Sequence, residues 1–302
     1  MISAKPTLIV ITGATASGKS ALAVDVAERL GCDIISADSR QIYRDMPIGT
    51  AAPTTDDLQR ARHHFVATLD INEYYSAARF ESDVMDLLPS LWERSPYAVM
   101  CGGSMMYIDA VTDGIDDIPT ISPVVRQRVQ RLYREQGPEG LIAYLELLDP
   151  EYAAIVDRAN IKRVVHAVEI SLQANRPYSQ LRRGHRKERP FNIIKTAIDW
   201  PREQLFERIN RRVNTMMDNG LLEEARNLYP MRHLNALNTV GYKELFAYFD
   251  GAFDLPAAVA RIAKNTRVYA KKQLTWLARP GIRPTIKLPN DNAFETLLGM
   301  LS

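Results

Sequence analysis

The sequence has very few cysteines and no long apolar run. Its 302 residues include two cysteines, Cys32 and Cys101, and neither lies in a Cys-x-x-Cys or histidine-rich pattern. This argues against a disulfide framework and against a structural zinc site. The apolar run at 8–11 leads into a glycine loop rather than a cleavage site, and no run reaches the roughly 20 residues of a membrane span. We therefore expect a reduced, cytoplasmic setting without membrane contact.

The overall composition is typical of a globular protein, but the charge is segregated along the chain. Hydrophobic residues make up 46% of the sequence and charged residues 25%, which excludes fibrous and wholly disordered classes. Residues 1–120 contain 9 Lys and Arg against 17 Asp and Glu, whereas residues 121–302 contain 29 against 19. Segment 261–290 holds eight basic residues and no acidic one. This segregation fits a polyanionic partner and fits a solvated basic face equally well.

The first third of the chain alternates strand and helix patterns. Short apolar, β-branched runs at 6–11, 32–36 and 97–101 predict buried strands. Helical apolar spacing over 20–30, followed by Gly31, predicts a helix between the first two strands. The alternation predicts an α/β fold with a parallel sheet whose functional groups lie at the carboxyl ends of the strands.

The pattern becomes helical after residue 120. Apolar residues recur at helical spacing in three stretches, 124–132, 141–148 and 161–172. They predict an all-helical insertion, which we place at 121–190. A strand at 191–198 then returns to the sheet. Further helices are predicted over 202–218, 220–228, 240–250 and 256–278. We therefore assign 1–120 and 191–290 to a catalytic core with flanking helices, and 291–302 to a C-terminal tail.

A phosphate-binding motif lies between the first predicted strand and helix. The G-x-x-x-x-G-K-S pattern consists of Gly13, Ala14, Thr15, Ala16, Ser17, Gly18, Lys19 and Ser20. Glycines let backbone N–H groups close on phosphate oxygens, and the helix N-terminus adds partial positive charge. Lys19 supplies a full charge and Ser20 a hydroxyl for Mg²⁺. The motif predicts a phosphate or diphosphate site and is by itself also typical of ATP-binding kinases and ATPases.

Small polar or acidic groups follow the other two early strands. Asp38 follows the second strand and Ser104 the third, so both are expected at the same edge of the sheet as the loop. Each could be a helix cap or turn residue. Asp38 could instead be a general base or a metal-linked carboxylate, and the turn at Ser104 could approach a ligand closely. Arg208 and Arg212 share one face of a predicted helix, where a diphosphate leaving group needs a cation besides Lys19.

The last predicted long helix carries a basic stripe. Lys264, Arg267 and Lys271 recur at i, i+3 and i+7 with no acidic neighbour. This pattern favours contact with a nucleic-acid backbone, although a solvated face explains it too.

Several stretches in this order resemble the tRNA dimethylallyltransferase (isopentenyl-tRNA transferase) family. The similar stretches are 13–20, 35–43, 46–51, 75–78, 102–107, 240–242, 266–267 and 270–276. The resemblance implies a P-loop NTPase-like core with an inserted helical subdomain. It also implies transfer of a dimethylallyl group from dimethylallyl diphosphate to N6 of adenine 37 in the tRNA anticodon arm, with Mg²⁺ as cofactor. We expect the enzyme to be a monomer.

The resemblance also implies roles for individual residues. Asp38 would take the N6 proton, the loop 13–20 would bind the diphosphate, and Arg212 would join Lys19 there. The implied catalytic set is Asp38, Ser104, Arg212 and Lys19, with Ser20 on the metal. The implied tRNA contacts are Asp38, Ser39, Arg40, Gln41, Ser104, Arg126, Lys162, Arg163, His166, Lys243, Lys271, Lys272 and Gln273. The chain departs from the family pattern at Ala14 (usually Pro), Ser104 (usually Thr) and His166 (usually Arg).

Three other functions are consistent with parts of this pattern. A small-molecule P-loop kinase would need an acidic residue at the end of the third strand, where 100–103 offers none. An isopentenyltransferase acting on free adenine nucleotides would not need the basic insertion and stripe. A non-catalytic RNA-binding module would leave the phosphate loop and Asp38 together unexplained.

Overall fold

The computed structural model describes residues 5–116, 118–182, 184, 186–279 and 285–301. The chain divides into a helical unit, Asp113–Glu188, and a core unit formed by the residues before and after it. The helical insertion expected from the sequence, 121–190, overlaps this helical unit. No helix within the described ranges is long and apolar enough to cross a membrane.

The core unit is built on a parallel sheet, as predicted. Within the described residues its strands are β1 (Thr7–Gly13), β2 (Ile34–Ser36), β3 (His63–His64), β4 (Tyr97–Gly102), β5 (Asn192–Asp199) and β6 (Thr285–Lys287). They are hydrogen-bonded in the order β3-β2-β4-β1-β5-β6, and every named pair is parallel. The four strands predicted from sequence are therefore confirmed, with boundaries within two residues. The short strands β3 and β6 were not predicted.

The helices follow in chain order among the described residues. They are α1 (Lys19–Leu30), α2 (Thr55–Arg60), α3 (Ala77–Trp92), α4 (Met105–Asp113), α5 (Pro123–Leu148), α6 (Pro150–Ile155), α7 (Ile161–Ala174), α8 (Tyr178–Leu181), α9 (Arg202–Asp218), α10 (Leu221–Leu228), α11 (Tyr242–Phe249), α12 (Leu255–Leu277) and α13 (Ala293–Gly299). The predicted core helices lie within two residues of α1, α9, α10, α11 and α12. The tail, for which we predicted no structure, contains α13.

The core lies on both faces of the sheet because the side chains of β1 alternate. Leu8 and Val10 pack with α3 and α12, whereas Ile9 and Ile11 pack with α1 and α13. All seven residues of β1 are buried, which explains its continuous apolar sequence. The central strand is therefore held from two sides, and its carboxyl end presents the loop that follows it.

The helical unit has a separate apolar core. Val129, Leu141 and Val164 are fully buried in it. Two predicted helices, 124–132 and 141–148, are joined in α5, which is interrupted at Gly137 by a φ of 68° that L side chains rarely adopt. Asp149, also fully buried, caps α6 and accepts two hydrogen bonds from Ser179.

Candidate functional site

The loop between β1 and α1 has the conformation of a phosphate cradle. Gly18 precedes α1 with a φ of 94°, which favours glycine. A Cβ on Gly13 would lie 2.7 Å from Ser17 Oγ, so glycine is needed there for space. The first N–H groups of α1 have no acceptor within the helix and can bind an anion. The predicted strand, glycine loop and helix arrangement is therefore present.

Three side chains hold the peptide groups of this loop: Trp200, which follows β5, Arg208 of α9 and Gln273 of α12. Trp200 Nε1 donates to the Ser17 carbonyl at 2.8 Å, and Arg208 Nε donates to the Ala16 carbonyl at 2.8 Å. The Thr15 N–H donates to Gln273 Oε1 at 2.8 Å. The Arg208 guanidinium also stacks on the Trp200 ring, 4.6 Å from its centroid. These contacts fix the orientation of three peptide groups of the loop.

Two cations and one carboxylate interact electrostatically beside the loop. Burial lowers the pKa of Lys19; Cys101 and Asp38 oppose this shift, and Arg212 adds to it. Burial also lowers the pKa of Arg212, again opposed by Asp38. Both cations gain stability from an added negative charge, because each is desolvated and beside another cation. The arrangement suits a diphosphate.

Asp38 lies immediately beyond β2, in a tight turn. Its Oδ1 accepts hydrogen bonds from the N–H of Arg40 at 2.9 Å and of Gln41 at 3.3 Å. The structure shows no hydrogen bond for Asp38 Oδ2 within the described part of the chain. The Ser104 N–H donates to the Ala37 carbonyl at 3.1 Å, which joins the turn after β4 to this one. Asp38 thus has one oxygen fixed and one available as a proton acceptor.

A cavity of about 600 Å³ connects these groups. Thr15 from the cradle, Asp38, Ser104 and Arg212 line its polar side. Its apolar wall is formed by Ile209, Val213, Met216, Leu221, Val240 and Ile262. A polar end with an available carboxylate and an apolar wall can accommodate a charged headgroup together with a short hydrocarbon chain.

A second cavity, of about 450 Å³, lies against the start of α1. Lys19 and Ser20 line it together with Arg208, Arg211 and Arg212. Arg212 lines both cavities, so it lies at their boundary. The second cavity is strongly cationic and suits phosphate oxygens.

Cys101 occupies the strand end at which a P-loop kinase needs a carboxylate. Its Sγ lies 3.6 Å from the Lys19 carbonyl oxygen, beneath the loop, and burial raises its thiol pKa to about 11. This position therefore carries a neutral thiol rather than an acidic metal ligand. Cys32 is likewise a buried free thiol.

Besides Asp38 and Ser104, five of the residues implied to contact RNA belong to the core unit. Ser39, Arg40, Lys243 and Lys272 line the first cavity, and the exposed Lys271 lies 5.9 Å from the Phe206 ring centroid. The neighbouring Arg267 does not point freely to solvent, because its Nη1 donates to Asn210 Oδ1 at 2.6 Å. The basic stripe is thus partly held by α9.

Two of the implied RNA contacts have internal partners instead. The Gln41 carboxamide donates to the carbonyls of Thr50 and Ala51 and accepts from Ser36 Oγ. Gln273 is 3% exposed, accepts from the Thr15 N–H and donates to the Gly103 carbonyl at 3.0 Å. Both ends of each amide already bind the protein, and contact of these two side chains with RNA stays a prediction. They act as braces of the site.

Four of the implied contacts lie in the helical unit. Lys162, Arg163 and His166 are exposed on α7, the last with its ring 5.9 Å from that of Tyr178. Arg126 Nε, on α5, lies 3.9 Å from Glu169 Oε1.

Sequence reasoning overlooked Trp200 and two carboxylates beside the first cavity. Glu224 binds the N–H groups of Ile48 and Gly49, and Glu244 binds the Gly241 N–H and Asn265. Glu244 binds Gly241 as the third residue of α11, which is a local capping pattern. The partners of Trp200 and Glu224 lie far along the chain, and no local pattern identifies them.

Comparisons with known proteins identify the family of this chain. Residues 41–280 match the family model described as IPP transferase. A tRNA dimethylallyltransferase 2 of Parabacteroides distasonis is 53% identical over 272 residues, covering 90% of this chain and 91% of that protein. A protein of the same name from Porphyromonas gingivalis is 54% identical over 273 residues, with 90% and 91% covered.

Solved structures show the same fold. The full-length tRNA isopentenylpyrophosphate transferase of Bacillus halodurans superposes with a TM-score of 0.71 at 31% identity, covering 98% of this chain and 94% of that one. A eukaryotic dimethylallyltransferase acting on tRNA gives a TM-score of 0.80 at 22% identity, with 98% and 77% covered, and shows likeness of fold alone. The predicted P-loop NTPase-like fold is thereby confirmed. The chain belongs to the IPP transferase family, and the two relatives above are named tRNA dimethylallyltransferases.

Proposed function

We propose that this enzyme transfers a dimethylallyl group from dimethylallyl diphosphate to N6 of adenine 37 in the anticodon arm of tRNA and releases diphosphate. Family membership supports tRNA modification by prenyl transfer. The observation that carries the finer assignment is the 600 Å³ cavity, where the cradle, Arg212, Asp38 and an apolar wall meet.

The cradle is assigned to the diphosphate of the donor. The N–H groups at the start of α1, Lys19 and Arg212 would bind its oxygens, and the apolar wall would contact the five-carbon chain. As the bond from C1 to the bridging oxygen breaks, its electron pair leaves with the diphosphate. Lys19 and Arg212 then stabilise the negative charge that grows on the diphosphate. This interaction is stronger in the transition state than in the bound donor, so it accelerates the reaction.

Asp38 is assigned to the acceptor. An exocyclic adenine amine is a weak nucleophile because its lone pair is conjugated with the ring. The N6 lone pair would form the new bond to C1, and the N6 proton would pass to Asp38 Oδ2 while Oδ1 stays bound by the turn. The target adenine must leave its stack to reach the cavity. Ser104 is assigned to contact with the RNA at the same cavity.

The donor set beside the cradle fits Mg²⁺ held mainly by the substrate. The described residues contain no group of three or more His, Cys, Asp and Glu side chains that could enclose a metal ion. Ser20 is exposed in the second cavity and offers one hydroxyl ligand. Mg²⁺ usually keeps several waters and binds phosphate oxygens with few protein ligands. Bound in this way, it would neutralise negative charge on the departing diphosphate.

The tRNA is assigned to the basic surfaces of both units. Phosphate contacts would come from the exposed cations of α12 and from Lys162, Arg163 and Arg126, with His166 beside them. Recognition of an anticodon arm by shape and phosphates suits such surfaces. We propose that the enzyme acts as a monomer in the cytoplasm.

Mapping of the modified nucleotide tests this proposal. Enzyme, Mg²⁺ and dimethylallyl diphosphate are incubated with an unmodified tRNA transcript, and ribonuclease fragments are weighed by mass spectrometry. We expect the mass of the anticodon-loop fragment to increase by one dimethylallyl group. A transcript with guanine at position 37 should show no increase. Transfer to AMP but not to tRNA would instead identify an adenylate isopentenyltransferase.

A further inference from the structure

The Glu224 carboxylate binds two segments that are distant in sequence. Its Oε2 accepts the Ile48 N–H and its Oε1 accepts the Gly49 N–H, both at 2.8 Å. The Tyr242 hydroxyl also donates to Oε1, at 2.6 Å. Glu224 is therefore a triply bonded acceptor whose partners all lie outside its own helix, α10. We call Ile48, Gly49, Glu224 and Tyr242 the Glu224 latch.

The latch is closely packed as well as hydrogen-bonded. Tyr242 is fully buried, and burial raises its pKa, which keeps the hydroxyl protonated as a donor. A Cβ on Gly49 would lie 2.5 Å from Tyr242 Oη and 2.6 Å from Cζ, so only glycine fits against this ring. Gly49 itself lines the first cavity. The latch thus sets the position of one wall of that cavity.

Hydrogen bonds connect the latch to Asp38. The loop that Glu224 holds continues to Thr50 and Ala51, whose carbonyls accept from Gln41 Nε2 at 3.2 and 3.0 Å. The Gln41 N–H in turn donates to Asp38 Oδ1. A shift of the loop would therefore move Gln41 and loosen the turn that holds Asp38.

Tyr242 connects the latch to a second wall of the cavity. Tyr242 follows Gly241, and residues 238–241 line the cavity. Glu224 thus ties together two walls that approach the site from distant parts of the chain. A carboxylate that served only to cap α10 would bind the first N–H groups of that helix, and Glu224 binds other segments instead.

We propose that Glu224 is a positioning residue for the transfer reaction, holding the 48–51 loop and Tyr242 so that Gln41 keeps Asp38 directed at the acceptor amine. This inference rests on the proposed function, in which Asp38 takes the N6 proton. Glu224 has no hydrogen bond to the cradle or to Lys19 among the described residues, so the contacts assigned to the diphosphate of the donor do not depend on it directly.

The substitution Glu224→Gln tests the latch. It preserves size but replaces one acceptor oxygen with an NH2 group, which donates hydrogen bonds and cannot accept one from an N–H. Glu223→Gln is the matched control, because Glu223 is the adjacent residue of α10, is exposed and bonds only Arg226 among the described residues. Tyr242→Phe removes a single hydroxyl from the latch and serves if Glu224→Gln folds poorly.

We measure kcat and KM for both substrates, together with amide hydrogen exchange of the peptide containing Ile48 and Gly49. Glu224→Gln should accelerate that exchange and lower kcat about 10- to 100-fold, the loss typical of a misplaced catalytic group. Its KM for dimethylallyl diphosphate should stay within about two-fold of wild type, since the cationic contacts assigned to the diphosphate are unchanged. Tyr242→Phe should show the same pattern with a smaller loss, and Glu223→Gln should match wild type.

Unchanged kcat in Glu224→Gln, or a loss of kcat equalled by Glu223→Gln, would overturn the positioning role. So would a fall in kcat without faster exchange at Ile48 and Gly49. The parallel variant Asp38→Asn separates this failure from that of the proposed function. If Asp38→Asn is inactive while Glu224→Gln is normal, only the latch inference fails; if Asp38→Asn turns over normally, the assignment of Asp38 fails first.

Discussion

Gln273 on α12 accepts a hydrogen bond from the Thr15 N–H of the phosphate loop at 2.8 Å, although the two residues are 258 positions apart. The other end of the same carboxamide donates to the Gly103 carbonyl. A Cβ on Gly103 would lie 2.4 Å from Gln273 Nε2, so the turn after β4 approaches this side chain closely. One buried amide therefore joins the ends of β1 and β4, and the helix that carries Lys271 and Lys272 is tied to the cradle.

The first prediction concerns the two hydrogen bonds of the Gln273 side chain. Gln273→Leu removes both hydrogen bonds at similar size. It leaves the partly buried Thr15 N–H without this acceptor, and the Gly103 carbonyl keeps only the longer bond from the Tyr269 hydroxyl at 3.3 Å. We expect kcat to fall about 10- to 100-fold through misalignment of the cradle, with the Kd for tRNA unchanged. Gln204→Leu, at an exposed position of α9, is the control. Weaker tRNA binding with normal kcat at saturation would show that Gln273 contacts RNA after all.

The second prediction concerns the proton acceptor. Asp38→Asn preserves shape and removes the base, so turnover should fall ~10²–10⁴-fold while tRNA affinity stays nearly unchanged. Asp45→Asn, an exposed neighbour, should behave as wild type. Single-turnover transfer and equilibrium tRNA binding measure the two quantities separately. Near-normal transfer by Asp38→Asn would remove this residue from its assigned role.

The third prediction concerns the cations of α12. Lys264→Gln and Lys271→Gln should each weaken tRNA binding and reduce the slope of log K against log salt by about 1, because each removes a phosphate contact. Arg29→Gln, at the end of α1 away from the loop, should leave the slope unchanged. Binding titrations between low and physiological salt measure it. An unaltered slope in the lysine variants would mean that the stripe faces solvent.

The fourth prediction concerns pH and stability. Burial raises the pKa of Asp33, but hydrogen bonds from His64 and Arg94, both at 2.7 Å, outweigh it and leave the pKa below its usual value. Because the pKa of Asp33 is lower in the folded protein than in the unfolded chain, its ionised form stabilises the fold at pH values above the unfolded-chain pKa of about 4. This stabilisation is lost as the pH falls through the folded-state pKa. Asp33→Asn should therefore lower the free energy of unfolding at pH 7 by about 1–3 kcal/mol.

Urea unfolding of wild type, Asp33→Asn and the control Asp25→Asn across pH 3–7 checks this prediction. The difference between wild type and Asp33→Asn should shrink in acid. Asp25 is half-exposed and pairs with Arg60 at the surface, so its substitution should cost less than about 1 kcal/mol. A difference for Asp33→Asn that is the same at every pH would contradict the account.

Much of the fold could be predicted because its signals are local. The four main strands and the long helices have the apolar periodicity that their burial requires, and Gly31 marks the end of α1 with a left-handed φ of 59°. The strands β3 and β6 have two and three residues, too few to show a period. α13 was missed because its seven residues carry only one buried position, Leu297.

The site was predictable in its residue types and less so in its contacts. The glycine loop and the strand-end position of Asp38 follow from motif and topology. Gln41 and Gln273, in contrast, look like exposed polar residues in a basic context, and only packing reveals that they are internal. Glu224 has partners 175 and 176 positions away, and no sequence period connects such residues.

The measurement that tests the central claim most directly offers the enzyme two donors in parallel with tRNA and Mg²⁺. One reaction contains dimethylallyl diphosphate labelled with ¹⁴C in the prenyl chain, and the other contains ATP labelled with ³²P at the γ position. We predict that ¹⁴C enters the RNA, that no ³²P is transferred, and that Lys19→Met abolishes the ¹⁴C transfer. Transfer of ³²P to any acceptor, with no ¹⁴C in the RNA, would contradict a cradle that binds a prenyl diphosphate.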